Sequence, residues 1–176
     1  MKQTHLPLLM AMLVAFSGFA QTGYSDAGAR ANSMGNTGLT AYDVFSVQNN
    51  QAAMAFLEAA AAGLSTQNFF LVDGGIGAHY GVFALPVQKF GVFGLSANYT
   101  GDNTFNQTKI GLAYGRKLAD NVGVGLQLDY VGTNTSEVGS AAAFTFDIGI
   151  LYQPTKTLTI GAKAFNPIRA KTGMQY

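Results

Sequence analysis

Few residues of this 176-residue chain could do covalent chemistry. Cysteine is absent, which removes disulfides, thiolate metal sites and thiol nucleophiles together. The two histidines are His5 and His79. One histidine in a mature chain cannot build a metal site unaided, and no His-Glu-x-x-His spacing occurs. There is no Gly-x-Ser-x-Gly elbow, and most serines fall in loops or in the N-terminal segment. The carboxylates Asp43, Asp73, Asp102, Asp120, Asp129, Glu137 and Asp147 are scattered, whereas acid–base catalysis needs two held close together. The glycine cluster GGIGAHYG, Gly74 to Gly81, is not followed by a helix, so it lacks the N-terminal amides that cradle a phosphate. These residues predict a non-enzymatic protein with no catalytic residue, no metal and no cofactor.

Composition narrows the class. Charged residues make up 11% of the chain, against about 25% in an ordinary soluble domain, while apolar residues make up 48% and glycine occurs 22 times. A net charge of +1 supplies no basic patch, which argues against nucleic acid as a partner. The N-terminus has the form of a secretory signal peptide: Lys2, an apolar run from Leu6 to Ala15, and small residues at Gly18 and Ala20. Cleavage is expected near Ala20. Later apolar stretches are all interrupted within a few residues, well short of the roughly 20 needed for a spanning helix. If a membrane holds the chain, strands must do it.

From Gly63 onward the pattern has a period of two. VGVGLQLDYV places Val122, Val124, Leu126, Leu128 and Tyr130 on one face, with Gly123, Gly125, Gln127 and Asp129 on the other. Seven strands are predicted, at about 64–71, 78–86, 92–99, 109–117, 122–131, 143–152 and 158–165. Their connections alternate between short turns (87–91, 118–121, 153–157) and long polar loops (100–108, 132–142), as at the two rims of an outer-membrane barrel. The predicted fold class is therefore all-β: an antiparallel outer-membrane β-barrel. Its lipid-facing set would be Ile110, Leu112, Tyr114, Val122, Val124, Leu126, Leu128, Tyr130, Phe144, Phe146, Ile148, Ile150 and Tyr152. Tyr99, Tyr114, Tyr130 and Tyr152, near strand ends, would join an aromatic girdle. The opposite, lumenal parity carries Gly111, Ala113, Gly115, Thr145, Gly149, Thr159 and Gly161. It also carries Gln127, Asp147 and Lys163: a hairpin centred near Thr155 would set Asp147 opposite Lys163, and one centred near Glu137 would bring Gln127 beside Asp147, giving a cross-strand ladder.

Residues 21–62 differ: a Gly, Ala, Asn and Ser-rich stretch is followed by QAAMAFLEAAAAG, which predicts a short helix near Gln51 to Ala62. Within it, Gly28-Ala29-Arg30, Met34-Gly35-Asn36, Ala41-Tyr42-Asp43 and Asn50-Gln51-Ala52-Ala53-Met54 follow in order. Together these resemble the N-terminal signature of the PorV/PorQ-type outer-membrane barrels of Bacteroidetes, which are similar to the FadL transporters. Gln51 stands where that pattern has proline. The stretches FALPVQKFGVFGLS, KIGLAYGRKL, GVGLQLDYVG and ILYQPTKTLTIGAKAFNPIRAK extend the resemblance over nearly the whole mature chain.

The resemblance implies three units: a signal peptide (1–20), a plug-like segment (21–62) held in the lumen by Arg30, Asp43 and Asn50, and barrel strands (63–176). Family members continue with further strands, so the seven visible here are expected to be part of a larger barrel. The implied function is FadL-like transport of hydrophobic small molecules across the outer membrane of a Gram-negative bacterium. The alternative is a component of type IX protein secretion that acts through protein partners. Expected partners are outer-membrane lipid and either hydrophobic small molecules or secretion-system proteins.

Overall fold

The computed structural model describes residues 26–69, 75–136, 139–168 and 170. The expected signal peptide lies outside the described residues. Three short helices, α1 (Ala29–Ser33), α2 (Ser46–Asn49) and α3 (Gln51–Met54), and a 3-10 turn at Gly38–Thr40 precede the sheet. The strands are β1 (Ala61–Asn68), β2 (Gly77–Val87), β3 (Gly91–Gly101), β4 (Phe105–Ala119), β5 (Val122–Thr135), β6 (Gly139–Thr155) and β7 (Leu158–Phe165). They pair antiparallel in chain order, each with the next, as a curled seven-stranded half-barrel. Among the described residues no helix is long and apolar enough to cross a membrane.

Curling follows from side-chain reach. Lys109 Nζ on β4 lies 4.8 Å from the ring centroid of Phe165 on β7, three strands away. A flat sheet would hold those strands about 14 Å apart, so the face that carries both residues is concave. Residues 26–57 pack into that concavity. The buried apolar clusters all join this segment to the inner face: Val47 and Met54 meet Val82, Ala84, Val92 and Ala113, and Ala52 and Ala53 meet Leu151.

Three expectations about local structure are corrected. The helix predicted over Gln51 to Ala62 ends at Met54, and Ala61 and Ala62 already belong to β1. Alanine-rich composition favours helix, but here a strand has captured the second half by pairing Ala61 with Ala84 and Ala62 with Phe83. The long loops predicted at 100–108 and 132–142 are largely strand: β4 begins at Phe105, β5 runs to Thr135 and β6 begins at Gly139. Asp102 makes the tighter turn, because its Oδ1 accepts from the N–H groups of both Thr104 and Phe105 at 2.8 Å. The first strand sits three residues earlier than predicted, at Ala61–Asn68.

Candidate functional site

The inner face of the half-barrel is the candidate site, and its floor is made of glycine. β-Carbons added at Gly115 and Gly125 would collide with the backbone of Gln51 and Ala52, and one at Gly123 would lie 2.5 Å from Ala52 O. A β-carbon at Gly94 would sit 2.7 Å from Met54 Sδ, and one at Gly149 would overlap Asn50 Oδ1. Strand glycine is costly in isolation and marks close backbone approach. Here it lets α3 lie directly on β4, β5 and β6, so the glycines that interrupt the strand pattern form the seat of the N-terminal segment.

Above this floor lies a buried polar chain that leaves the segment and returns to it. Gln51 Nε2, on α3, donates to Gln127 Oε1 on β5 at 2.6 Å. Gln127 Nε2 donates to Asp129 Oδ1 at 2.5 Å and reaches Ser96 Oγ at 3.3 Å. Lys109 Nζ on β4 stands 3.2 Å from Asp129 Oδ2 and 2.9 Å from Asp147 Oδ2. The same Asp147 oxygen is 3.1 Å from Lys163 Nζ on β7, which donates to the backbone carbonyl of Gln48 at 2.6 Å. Gln51, Gln127, Lys109, Asp129 and Asp147 are all buried. Two ammonium groups face two carboxylates, so the chain is electrically balanced, as buried charge requires.

The outer face has the opposite character. Leu64 is 88% exposed, Phe144 77% and Leu128 57%, and Ile110, Leu112, Leu126, Tyr130, Ile148, Ile150 and Tyr152 are also exposed. Phe93 packs on Tyr114 (centroids 5.2 Å) and Tyr130 on Phe144 (5.4 Å) along this face. Tyr114 also donates its hydroxyl to Phe90 O. His79 faces outward too, with its ring stacked on Tyr99 at 6.2 Å and its Nδ1 3.3 Å from Thr66 Oγ1.

The six residues singled out from sequence divide unevenly. Gln127, Asp147 and Lys163 meet in one cluster, with one of the two expected cross-strand pairings in register and the other not. Gln127 does pair with Asp147 across β5 and β6, whereas Asp147 pairs with Phe165 and Lys163 with Gly149. The β6–β7 turn falls at Lys156 and Thr157, beyond the expected centre near Thr155, so β7 is displaced by two residues, and the lysine's length closes the diagonal. Asn50 ties the segment to the wall: its Nδ2 donates to Leu39 O at 2.8 Å and to Ile150 O at 3.3 Å, and its Oδ1 caps α3 by accepting from Ala52 N. Asp43 acts locally, accepting from Phe45 N at 2.9 Å. Arg30 is exposed on α1, and no hydrogen bond joins its side chain to the sheet among the described residues.

Sequence reading missed Lys109, although it shares the inward parity of Gly111, Ala113 and Gly115; following that parity toward the start of β4 finds it. Asn49 was missed as well. It is buried on α2, where its Oδ1 accepts from Ala27 N at 2.8 Å and its Nδ2 donates to Ala27 O at 2.9 Å. No group of three or more His, Asp or Glu side chains is placed to hold a metal among the described residues.

Comparison with known proteins gives no match: no family model fits the sequence, and no curated protein or solved structure is significantly similar to it.

Proposed function

We propose that this chain forms the wall of an outer-membrane β-barrel of the PorV/PorQ type, non-enzymatic, with residues 26–57 as a lumenal plug. Its role is FadL-like passage of hydrophobic small molecules. One observation carries the reading, the inverted polarity of the sheet: charge and amide groups are buried inward while Leu, Ile and Phe side chains stand exposed outward. Water makes an outward apolar band of this extent unfavourable, and contiguous patches beyond a few hundred Å² mark an interaction surface. Bilayer hydrocarbon makes it favourable. On β5 and β6 the band runs from Val122 to Tyr130 and from Phe144 to Tyr152, about nine residues each, near the 9–11 that a tilted strand needs to cross. Beyond the band the strands continue with Asn106, Thr108, Gly132, Asn134 and Ser140, whose character suits an aqueous rim.

The transport reading draws support from the plug's position and from a wall whose charges are already paired, which is poor material for an ion-selective pore. The experiment is twofold. After cell fractionation the protein should be found with the outer membrane, and liposomes containing it should admit an apolar fluorescent probe faster than protein-free liposomes. Recovery in the soluble periplasmic fraction would refute the barrel. Membrane recovery without probe entry, together with capture of secreted proteins in a pull-down, would move the assignment to the type IX secretion alternative.

A further inference from the structure

The N-terminal segment is fastened in two different ways. Residues 46–55 are wedged. Their backbone occupies the space over Gly115, Gly123 and Gly125, and Val47 and Met54 fill the space over Gly94. Asn50, Gln51 and the carbonyl of Gln48 are tied to Ile150, Gln127 and Lys163. Residues 26–45 have a single side-chain hydrogen bond to the wall among the described residues, from Asn32 Nδ2 to Gln67 Oε1 at 2.8 Å on the edge strand β1; the rest of their hold is packing, of Ala27 and Phe45 on Ala78 and Tyr80, of Val44 over Gly63, and of Leu39 and Thr40 over Gly161.

Their other polar ties run to the wedge or stay within the segment. Asn49 takes both backbone groups of Ala27, and Asn50 Nδ2 holds Leu39 O. Asp26 Oδ2 accepts from Gly38 N at 2.5 Å. A β-carbon at Gly38 would come within 2.5 Å of Asn49 Nδ2 and 2.8 Å of Asp26 Oδ2, so this contact closes only around glycine.

We propose that residues 26–45 are a flap that opens as a unit over the fixed wedge 46–55, with Asn49 as its catch. A single buried amide that satisfies both the N–H and the C=O of Ala27 fastens in an all-or-none way, since a backbone shift that breaks one bond strains the other. Asn49 belongs to the wedge, so release leaves the Gln48–Lys163 and Gln51–Gln127 ties in place. Opening uncovers Ala78, Tyr80 and the inner face of β1 on one side and Gly161 of β7, next to the charged Lys163, on the other. A path for an apolar solute therefore runs along the β1–β2 side, away from the charged centre at β4–β7. The consequence for transport rests on the plug reading above; the two-part behaviour does not.

The test is hydrogen–deuterium exchange of the whole chain in lipid nanodiscs without ligand, for the wild type, Asn49→Ala and Gly38→Ala. Wild-type amides in 27–45 should exchange at least roughly tenfold faster than those in 46–55. Both variants should speed 27–45 by about a further tenfold and change 46–55 by less than about twofold. One common rate for the two halves in the wild type overturns the proposal, and so does joint acceleration, or no acceleration of 27–45, in Asn49→Ala. If neither variant inserts, the wild-type comparison decides alone. Liposomes showing no probe entry would defeat the transport reading and leave a two-rate exchange pattern standing. Probe entry with uniform exchange would defeat the flap and leave transport standing.

Discussion

The two faces of β5 share one backbone and are built for opposite surroundings. Outward stand Val122, Val124, Leu126, Leu128 and Tyr130; inward, buried, are Gly123, Gly125, Gln127 and Asp129. In a water-soluble sheet the apolar parity would turn inward and the polar one outward. Here the inward face is divided again along its length. Glycine lies where the backbone of α3 must touch the strand, and charge lies where partners on β4, β6 and β7 can meet it. Residue type on the inner face thus follows what packs against it, whereas on the outer face it follows the solvent.

The largest effect expected from breaking this contrast is at the inner charges. Lys109→Met would leave Asp129 and Asp147 facing each other without their shared cation, and removing one partner of a buried ion pair costs about 3–5 kcal/mol. The loss would be read as a lowered urea midpoint in lipid. Replacing Lys109 and Asp129 together by apolar residues should recover part of it.

Next comes the outer face. Leu128→Arg, near the middle of β5, should cost about 2–4 kcal/mol if that face meets the bilayer midplane. If it meets water, the cost should fall within about 0.5 kcal/mol of zero, as for an ordinary surface substitution. The lipid-facing reading of the outer face stands or falls on that difference.

A matched pair on one strand sharpens the comparison further. Gly125→Ala drives a β-carbon into Gln51 and Ala52 and should destabilise by about 1–3 kcal/mol, with release of the segment visible as faster proteolysis of residues 46–55. Gly132→Ala points outward, where the β-carbon meets Tyr130 ring atoms at an ordinary 3.6 Å. Relief of glycine's entropic cost should make it neutral or stabilising by up to about 1 kcal/mol. Equal effects at both positions would show that the seat does not hold the segment.

The smallest effect is at the rim. Backbone N–H groups of Phe105 and Thr104 hold the exposed Asp102 carboxyl below its ordinary value. A carboxyl lowered on folding contributes stability while ionised and loses it as the pH falls through its folded value, so the β3–β4 turn should loosen only in acid. Asp102→Asn keeps the oxygen acceptor and should remove that pH dependence, measurable as a flat acid limb in the amide shifts of Thr104 and Phe105.

Much of the fold was legible in the sequence because strand periodicity is local. From β4 to β7 the alternation separated the two faces, and tight turns such as Leu118 to Asn121 placed neighbours side by side. The outward set from Ile110 to Tyr152 lies on the exposed or half-buried side in the structure. The site was less legible. Asp147 and Lys163 were found by their shared parity, but Lys109 lies near the polar start of β4, where the alternation is weakest. Asn49 and Gln51 sit among small residues whose composition says only that a helix is favourable, and Arg30, which entered through the resemblance alone, is exposed.

The sequence by itself determined that this chain makes a meander of strands with one apolar and one polar-or-glycine face, because side-chain alternation depends on nothing beyond the strand. Only the tertiary structure decided which polar residues meet. A two-residue difference in the β6–β7 register moved Lys163 opposite Gly149, yet curling and the reach of the side chain still delivered it to Asp147. Likewise, no local pattern distinguishes a glycine at a turn from one that seats a helix. That distinction appears only when the chain brings Gln51 and Ala52 down onto the strands at Gly115, Gly123 and Gly125, contacts more than sixty residues distant in sequence.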